Sequence, residues 1–315
     1  MRALALATLL AVSATAAVAS QPIAKLQLPC ESPNQDLSPT GTQLAVPCKD
    51  HSVYLVDVPG GTARKVFTPD RRPNTYVFSQ DGRWLAAGFS DGTVEVISTH
   101  DSTPSRQWKA DSHRIDKLYF FPDGKTLLVG PMNTAGTIWD LTGTPILRTT
   151  LPEDFGGVYA CAASPDGKLM AVTTGDNILR WYDTATWQKT REYRDFLLAT
   201  FALTFSPDGK SLLAAGADSR ITVFDAATGK QLRQMPPETG ASIFSLDLLR
   251  DPNQALAVYF DNAGGKPPHA LIWNLTTAKS VPFAMDPPPA CGEVVNGKIW
   301  TCSVDGKTLT IAQQE

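Results

Sequence analysis

The feature that most constrains this chain is a sequence repeat with a period near 42 residues. The segment "FSPDGKSLLAAGADSRITVFDAATGKQL", which starts at Phe205, is preceded 42 residues earlier by "ASPDGKLMAVTTGDNILRWYDTATWQKT". Related four-residue turns begin at positions 38, 79, 121, 164 and 206, so the period is 41 to 43 residues. A period of about 40 to 45 residues with short strands in each unit is typical of a propeller blade.

Each of the five regular units has the same internal spacing. The distance from the first residue of the turn to the end of the third apolar segment is nineteen residues in every unit. Pro, Asp and Gly in the turn supply a preset φ, a local side-chain hydrogen bond and a tolerated positive φ. Because the middle segments are almost continuously apolar and the last is more polar, we predict four strands per blade. The middle two are expected to be buried on both faces, and the fourth to lie at the outer edge.

The sixth and seventh units depart from this pattern. The sixth carries a six-residue insertion, within "DNAGGKPPH", between its second and third strands. The seventh supplies three strands, and its fourth is predicted to be "IAKLQL", Ile23 to Leu28, which belongs to no other unit. The predicted fold is therefore all-β, a seven-bladed β-propeller closed by an N-terminal strand that completes the last blade.

The first twenty residues have the layout of a secretory signal peptide. Arg2 precedes the apolar run "ALALATLLAVSATAAVA", which ends in small residues. An uncleaved anchor is the alternative, but the run is shorter than the roughly 20 residues that a spanning helix needs. We expect residues 1–20 to be removed, residues 21–315 to form a single propeller domain, and the protein to be secreted or periplasmic without membrane insertion after cleavage.

The composition is that of an ordinary globular protein, with 43% hydrophobic and 19% charged residues. Loss of residues 1–20 removes Arg2 and leaves 27 basic against 31 acidic residues, a formal charge of −4. Because nucleic-acid binding requires a basic face, no nucleic-acid partner is expected.

Four of the five cysteines lie near the two ends of the mature chain. Cys30 and Cys48 are almost symmetric about the first turn, and Cys291 and Cys302 are symmetric about the Asn-Gly turn between them. Disulfides persist in an export context, so we pair Cys30 with Cys48 and Cys291 with Cys302. A clamp between blades one and seven, such as Cys30 with Cys291, and free thiols are the alternatives. Cys161 is predicted to be a reduced core residue.

The repeats resemble those of WD-repeat propellers of the WD40 or YVTN type. The resemblance, together with the signal peptide, suggests a secreted bacterial member of that family. The resemblance rests on "SPDG", on "TIWDL" at Thr137–Leu141 and on "LIWNL" at Leu271–Leu275. His113 stands where a blade of this family often carries His, and an Asp recurs in the turn after the second strand. These aspartates are Asp50, Asp91, Asp176, Asp218 and Asp305.

The resemblance implies a scaffold for protein–protein interaction. Lactonase-like and quinoprotein-like propeller enzymes share the same repeat pattern, so an enzyme or a small-ligand or metal binder that uses the central pocket is the alternative. The four histidines lie in different units, with no two at a metal-ligand spacing, and no catalytic motif appears. We therefore predict no cofactor, no metal and no catalytic residue, and expect a binding protein rather than an enzyme.

The loops that join successive blades are the candidate binding surface. Because each first strand runs away from its connector, the connectors share one face with the turns after the second strands. The "SPDG" turns lie on the opposite face. Mixed charges with Phe and Arg are enriched at protein contacts. The candidate residues of this connector face are Arg72, His113, Arg114, Asp154, Phe155, Arg194, Phe196 and Arg220. The predicted partner is an unidentified protein or peptide of the cell envelope, bound by a monomer.

Overall fold

The strands of the chain form seven antiparallel sheets of four strands each, as the repeat predicts. The computed structural model describes residues 21–31, 36–68, 72–101, 103–152, 156–238, 240–249, 251–263, 269–283, 291–295, 298–305 and 307–314. The predicted signal peptide, residues 1–20, lies outside the described residues. Within them, no helix has the length and apolarity that a bilayer span requires.

The first two strands of each blade are joined by the turn that defines the repeat. The first strands, from blade one to blade seven, are β2 (Asp36–Leu37), β6 (Thr75–Phe78), β10 (Ile115–Phe120), β14 (Val158–Ala163), β18 (Thr200–Phe205), β22 (Ala241–Leu248) and β26 (Cys291–Val295). The second strands are β3 (Gln43–Pro47), β7 (Trp84–Gly88), β11 (Thr126–Pro131), β15 (Leu169–Thr174), β19 (Ser211–Gly216), β23 (Gln254–Asp261) and β27 (Lys298–Asp305). First strands of neighbouring blades contact one another, so they surround the axis.

The other two strands complete each sheet toward its outer edge. The third strands are β4 (Val53–Asp57), β8 (Thr93–Ser98), β12 (Thr137–Asp140), β16 (Leu179–Asp183), β20 (Ile221–Asp225), β24 (His269–Asn274) and β28 (Thr308–Gln314). The fourth strands are β5 (Ala63–Phe67), β9 (Arg106–Lys109), β13 (Ile146–Thr150), β17 (Lys189–Tyr193), β21 (Gln231–Gln234), β25 (Lys279–Phe283) and, in blade seven, β1 (Gln21–Gln27).

The turn between the first two strands is closed by its own side chains. In blade five, the Ser206 hydroxyl donates to Asp208 Oδ1 at 2.6 Å and accepts the Ser211 N–H at 2.9 Å. Asp208 Oδ1 also accepts the Lys210 N–H at 3.1 Å, and Gly209 takes a φ of 71°. Blades two and four repeat these side-chain bonds. The motif therefore specifies the hairpin locally, independently of the rest of the ring.

Adjacent blades are held together by apolar clusters between their sheets. In β19, Leu212 and Ala214 pack against blade four, whereas Leu213 and Ala215 pack against blade six. Among the described residues, a cluster of this kind lies at each of the seven interfaces between neighbouring blades. Burial on both faces explains why the second strands are continuous apolar runs, and the complete set of interfaces shows a closed ring.

The N-terminal strand closes the ring, as predicted. β1 pairs antiparallel with β28, with Lys25 opposite Thr310 and Leu26 opposite Leu309. Leu26 is 3% exposed and lies in a cluster with Leu44 and Val46 of blade one. The last blade thus combines strands from both ends of the described chain. One face of its sheet packs on blade one through this cluster.

An arginine on the fourth strand recurs every 42 to 43 residues and connects neighbouring blades. These arginines are Arg64, Arg106, Arg148, Arg191 and Arg233. Arg64 donates to the Ser98 carbonyl oxygen at 2.8 Å, and Arg233 donates to the Leu275 carbonyl oxygen at 2.7 Å. The arginines of blades two and four bind the following blade in the same way, whereas that of blade three pairs with Asp140 of its own blade. The charged outer edge therefore joins neighbouring blades as well as facing solvent.

A disulfide links Cys30 to Cys48, which confirms the first predicted pair. The two residues are not directly opposed across the first hairpin, because the register of that hairpin places Leu37 opposite Leu44. Cys30 instead lies in the connector that follows β1, and Cys48 lies directly after β3. The disulfide therefore ties the end of the closing strand to blade one.

The second predicted pair lies partly outside the described structure. The backbone register places Cys291 opposite Cys302, as the symmetry about the Asn-Gly turn predicts. Their side chains are not among those described, so this disulfide stays a prediction. Cys161 is a free, buried thiol, and desolvation raises its pKa to about 12.

Removing the Cys30–Cys48 disulfide is expected to lower the free energy of unfolding by about 3 kcal/mol, because the bridge closes a short loop in the unfolded chain. The sequence separation of the two cysteines is 18 residues. Urea unfolding of a Cys291→Ser/Cys302→Ser variant, with and without a reductant, measures this effect alone. Further replacement of Cys30 and Cys48 by serine should abolish the effect of the reductant. Equal stability in both conditions would contradict the prediction.

Candidate functional site

The connector face is formed by the connectors and the turns after the second strands, which lie at the same end of the ring. Where the structure describes them, connectors are bonded to the second turns of the blades that they join. The Ala110 N–H donates to the Gly92 carbonyl oxygen at 3.0 Å, and the Met132 N–H donates to the Arg114 carbonyl oxygen at 2.7 Å. The Leu151 N–H likewise donates to a second-turn carbonyl oxygen at 2.8 Å. These bonds hold the loops of adjacent blades at one end of the ring.

The charged candidates on this face are paired with residues close in sequence. His113 Nδ1 lies 2.8 Å from Asp111 Oδ1, and Arg114 Nε donates to Asp116 Oδ1 at 2.6 Å. Arg194 Nε donates to a Glu192 carboxylate oxygen at 2.6 Å. All three basic side chains are about half exposed or more. Local pairing orients them while it leaves them open to a partner.

The remaining candidates differ in how accessible they are. Arg72 is exposed and Arg220 is half-buried. Phe196 packs edge-to-face against Tyr193 and Phe224, with ring centroids 5.0 Å and 6.0 Å apart, so much of its surface belongs to the blade interior. Two further candidates, Asp154 and Phe155, lie outside the described residues. The topology thus brings the described candidates to one face, but spreads them around the ring.

Sequence reasoning missed a set of aromatic residues on the innermost strands. In three consecutive blades, the pairing between the first and second strand shifts by one residue at a β-bulge. The residues left out of the pairing are Tyr159, Phe201 and Phe244. A bulge locally bends the strand and redirects a side chain. Here it brings an aromatic ring to the same place in each of blades four, five and six.

These rings form a continuous stack across three blades. Tyr159 and Phe201 lie 6.1 Å apart between centroids, and Phe201 and Phe244 stack at 4.8 Å with an interplanar angle of 10°. Phe260 of β23 adds an edge contact to Phe244 at 5.2 Å. Tyr159, Phe244 and Phe260 are 39%, 51% and 42% exposed. We call these four residues the axial aromatic patch.

The patch lies on the inner rim of the connector face. Tyr159 and Phe201 are the second residues of strands that begin at a connector and surround the axis. In the sequence, the three bulged aromatics are 42 and 43 residues apart, each five residues before the start of the next turn. Asp116 holds the same place in blade three. The repeat could therefore have revealed the patch, but an aromatic in an apolar strand is typical of core packing.

Comparison with known proteins supports the family predicted from the repeats. The family description "WD domain, G-beta repeat" matches residues 73–98, 146–183 and 199–225. A chain of the crystal structure of the mitotic checkpoint complex superposes with a TM-score of 0.76 at 18% identity, over 99% of this chain and 98% of that one. The β-propeller domain of Myceliophteria thermophila Cps50 (Swd1) gives a TM-score of 0.72 at 15% identity, over 93% and 99% of the two chains.

The matched segments are WD repeats, and the described chain folds as a β-propeller. WD repeat-containing protein SL1-17 of Schistosoma mansoni is 29% identical over 150 residues, which are 47% of this chain and 49% of that protein. WD repeat-containing protein 70 of Xenopus laevis is 27% identical over 132 residues, 38% of this chain and 21% of that protein. This WD-repeat propeller therefore spans about half or less of these relatives. Proteins of the family typically act as protein-interaction scaffolds.

The second-turn aspartates of this WD-repeat propeller act on their own turns. Asp50 and Asp91 each accept the backbone N–H two residues later, at 3.0 Å and 2.9 Å. Hydrogen bonds from Ser52 hold the pKa of Asp50 below its usual range. Asp176 also accepts hydrogen bonds from both terminal guanidinium nitrogens of Arg180, whose side chain is 2% exposed. These hydrogen bonds fix the shape of the turns on the connector face.

The central-pocket alternative requires a cluster of ligating side chains around the axis of the WD-repeat propeller. Across the part of the chain that the structure describes, no three His, Cys, Asp or Glu side chains are grouped closely enough to hold a metal ion. The described inner strands of blades four to six present the axial aromatic patch instead.

Proposed function

We propose that this WD-repeat propeller is a secreted or periplasmic, non-catalytic platform that binds a protein or peptide of the cell envelope through its connector face. The axial aromatic patch is the observation that carries this proposal. Four aromatic side chains in mutual contact, three of them with 39% to 51% of their surface exposed, form an apolar surface at a ring opening. Exposed contiguous apolar patches mark interaction sites on soluble proteins.

The rigidity of the ring suits this role. The patch residues come from β-strands, and the connectors beside them are bonded to neighbouring turns. A partner that docks there does not have to order long mobile loops, so little conformational entropy is lost on binding. Paired charges surround the apolar centre, which is the arrangement of an apolar core with a polar rim.

The extracytoplasmic location is supported by two independent features. Residues 1–20 have the layout of a signal peptide. The Cys30–Cys48 disulfide is of a kind that persists in oxidising compartments and is rare in the cytosol. Mass spectrometry of the protein recovered from an envelope fraction tests this part, because the mature chain is expected to lack residues 1–20.

Charge reversal on the connector face is expected to abolish partner capture. The variant Arg72→Glu/Arg114→Glu/Arg194→Glu should recover at least about tenfold less of the proteins that the wild type enriches from an envelope extract. It removes three arginines of the rim and turns the ion pairs of Arg114 with Asp116 and of Arg194 with Glu192 into pairs of like charges, which displaces the connector side chains that a partner would contact. Quantitative mass spectrometry of the bound fraction measures the loss.

A matched variant on the opposite face provides the control. Lys125, Lys168 and Lys210 are exposed residues of the "SPDG" turns. Their replacement by glutamate changes the net charge by the same amount and should leave capture intact. Equal capture by both variants, or loss with the control alone, would contradict the assignment of the connector face.

A further inference from the structure

We infer that the axial aromatic patch docks a short peptide segment of the partner in which a lysine or arginine side chain adjoins an aromatic or aliphatic one. This inference rests on the proposed function and adds the chemistry of the segment that is bound.

The apolar part of the segment follows from the shape of the patch. Phe201 and Phe244 stack face to face across two blades, and Phe260 meets Phe244 at its edge. The rings of Phe244 and Phe260 remain 51% and 42% exposed. An aromatic or aliphatic side chain laid on this surface would remove apolar area from water on both partners, which favours binding.

The basic part of the segment follows first from the rings themselves. The face of an aromatic ring carries negative charge density, which attracts an ammonium or guanidinium group placed above it. A carboxylate over the same rings would be repelled. In blade three, Asp116 occupies the bulge position that Tyr159 occupies in blade four. The blade-three end of the patch therefore adjoins a carboxylate. That carboxylate is shared with Arg114.

The charged residues of the surrounding loops also favour a basic segment. On the described connector face over blades four to six, Asp176 is paired with Arg180 and Glu238 is hydrogen-bonded to His269. The other acidic residues of its loops are Asp195 and Asp218. The basic residues of these loops are Arg194, which is already bonded to Glu192, and Arg220. Burial raises the pKa of Tyr193, and the negative charges of Asp195 and Asp218 raise it further. A negative potential of this kind is complementary to a basic segment.

A further carboxyl lies beyond the patch on the same inner strand. Asp247 follows Phe244 by three residues on β22, about 10 Å farther from the connector end. The Ser245 hydroxyl donates to it at 3.1 Å. Burial raises the pKa of Asp247, which disfavours the charged form of this carboxyl. A long basic side chain entering beside Phe244 would approach this carboxyl and offset its desolvation.

A phage-displayed library of random linear heptapeptides provides the test, because it does not presuppose the sequence of the partner. Peptides selected on the full mature protein are expected to be enriched in Lys or Arg next to aromatic or aliphatic residues. Synthetic versions of the selected peptides should bind a Phe201→Ser/Phe244→Ser variant at least about tenfold more weakly, as measured by calorimetry or fluorescence anisotropy. Asp195→Lys should also weaken them, and added salt should reduce that difference.

The control variant is Leu232→Ser. Leu232 is 52% exposed, like Phe244, but lies on the outermost strand of blade five. Leu232 and Phe244 are exposed and Phe201 is half-buried, so both variants should keep the thermal stability of the wild type within a few degrees. Leu232→Ser should also keep the affinity for the selected peptides, which separates binding at the patch from a general loss of apolar surface.

Several outcomes would overturn the inference. Acidic peptides, peptides without a common chemistry, or equal affinity for the Phe201→Ser/Phe244→Ser variant would each do so. Binding of a soluble oligosaccharide such as chitotetraose, lost in that variant, would assign the patch to glycans instead. If envelope proteins are still captured through the connector face in any of these cases, the proposed function stands and only the segment chemistry fails. If charge reversal on that face leaves capture unchanged, the proposed function fails as well.

Discussion

Replacing Leu26 by aspartate is expected to unfold the propeller at room temperature. Leu26 lies on the closing strand, is 3% exposed, and packs in the cluster that joins blades seven and one. The substitution removes apolar burial worth about 2–5 kcal/mol and adds a desolvated carboxylate. The combined cost, about 5 kcal/mol or more, is comparable with the whole stability of a typical domain, about 5–15 kcal/mol.

The same strand provides a matched control for this variant. Lys25 is the neighbouring residue, points outward, and is exposed. Lys25→Asp introduces the same carboxylate in the same strand, but the expected change in unfolding free energy is within about 0.5 kcal/mol. Circular dichroism and limited proteolysis of the two variants measure the difference. A cooperative, protease-resistant Leu26→Asp variant would show that the ring does not depend on its N-terminal strand.

The blades could be predicted from the sequence because the information in them is local. The nineteen-residue spacing placed the ends of five third strands at Asp57, Ser98, Asp140, Asp183 and Asp225, and each of these strands ends at that residue. The turn side chains bond within a few residues of one another, so their sequence alone determines the hairpin. Closure by the N-terminal strand could be predicted because the seventh unit lacked a strand and one strand was left over.

Features that depend on a neighbouring blade could not be predicted in the same way. The fourth-strand arginines appear as solvent-exposed charges in the sequence, since the carbonyl groups they bind lie in the next repeat. Trp187 stands in a polar turn where blade five has Gly229, and its ring packs at 5.6 Å on Phe121 of the preceding blade. The position of such a side chain depends on the distance between two sheets, which the periodicity of one sheet does not specify.

The candidate site could likewise be predicted only in part. The sequence placed Arg72, Arg114 and Arg194 on one face, because strand direction alone decides which loops share an end of the ring. It did not reveal the axial aromatic patch, because the bulges that expose Tyr159 and Phe201 are shifts of register within otherwise regular strands. An apolar strand with an aromatic residue has the same sequence pattern whether that residue is buried or turned toward the axis.

Asp176→Ala is expected to destabilise the propeller by about 3–5 kcal/mol, because it removes one side of an ion pair whose guanidinium, on Arg180, is almost fully buried. The side chains of Arg180 and Asp176 are 2% and 18% exposed. Asp176 also accepts the Thr174 hydroxyl and the Ile178 N–H. Although burial opposes its ionisation, the hydrogen bonds from Arg180 and Thr174 lower the pKa of Asp176 overall. Urea unfolding of purified variants measures the loss.

Replacing Arg180 should cost less stability than replacing Asp176. Arg180→Met keeps most of the side-chain volume and removes the buried charge, while Asp176 retains its two other donors and partial exposure. We expect a cost of about 1–2 kcal/mol. The double variant Asp176→Ala/Arg180→Met should be more stable than Asp176→Ala alone, by about 2 kcal/mol, because the buried charge is removed together with the carboxylate that pairs with it. Strict additivity of the two single effects would rule out the ion pair as the cause.

The pH dependence separates the charge from the packing contribution of this pair. Because the folded-state pKa of Asp176 is lowered, its contribution to stability is complete above the unfolded pKa of about 4 and is lost as the pH falls through the folded value. Once Asp176 is protonated, the wild type has lost the ionic contact between Asp176 and Arg180 as well. The stability difference between wild type and Asp176→Ala should therefore shrink as the pH falls below about 4. A difference that stays constant would assign the cost to lost packing instead.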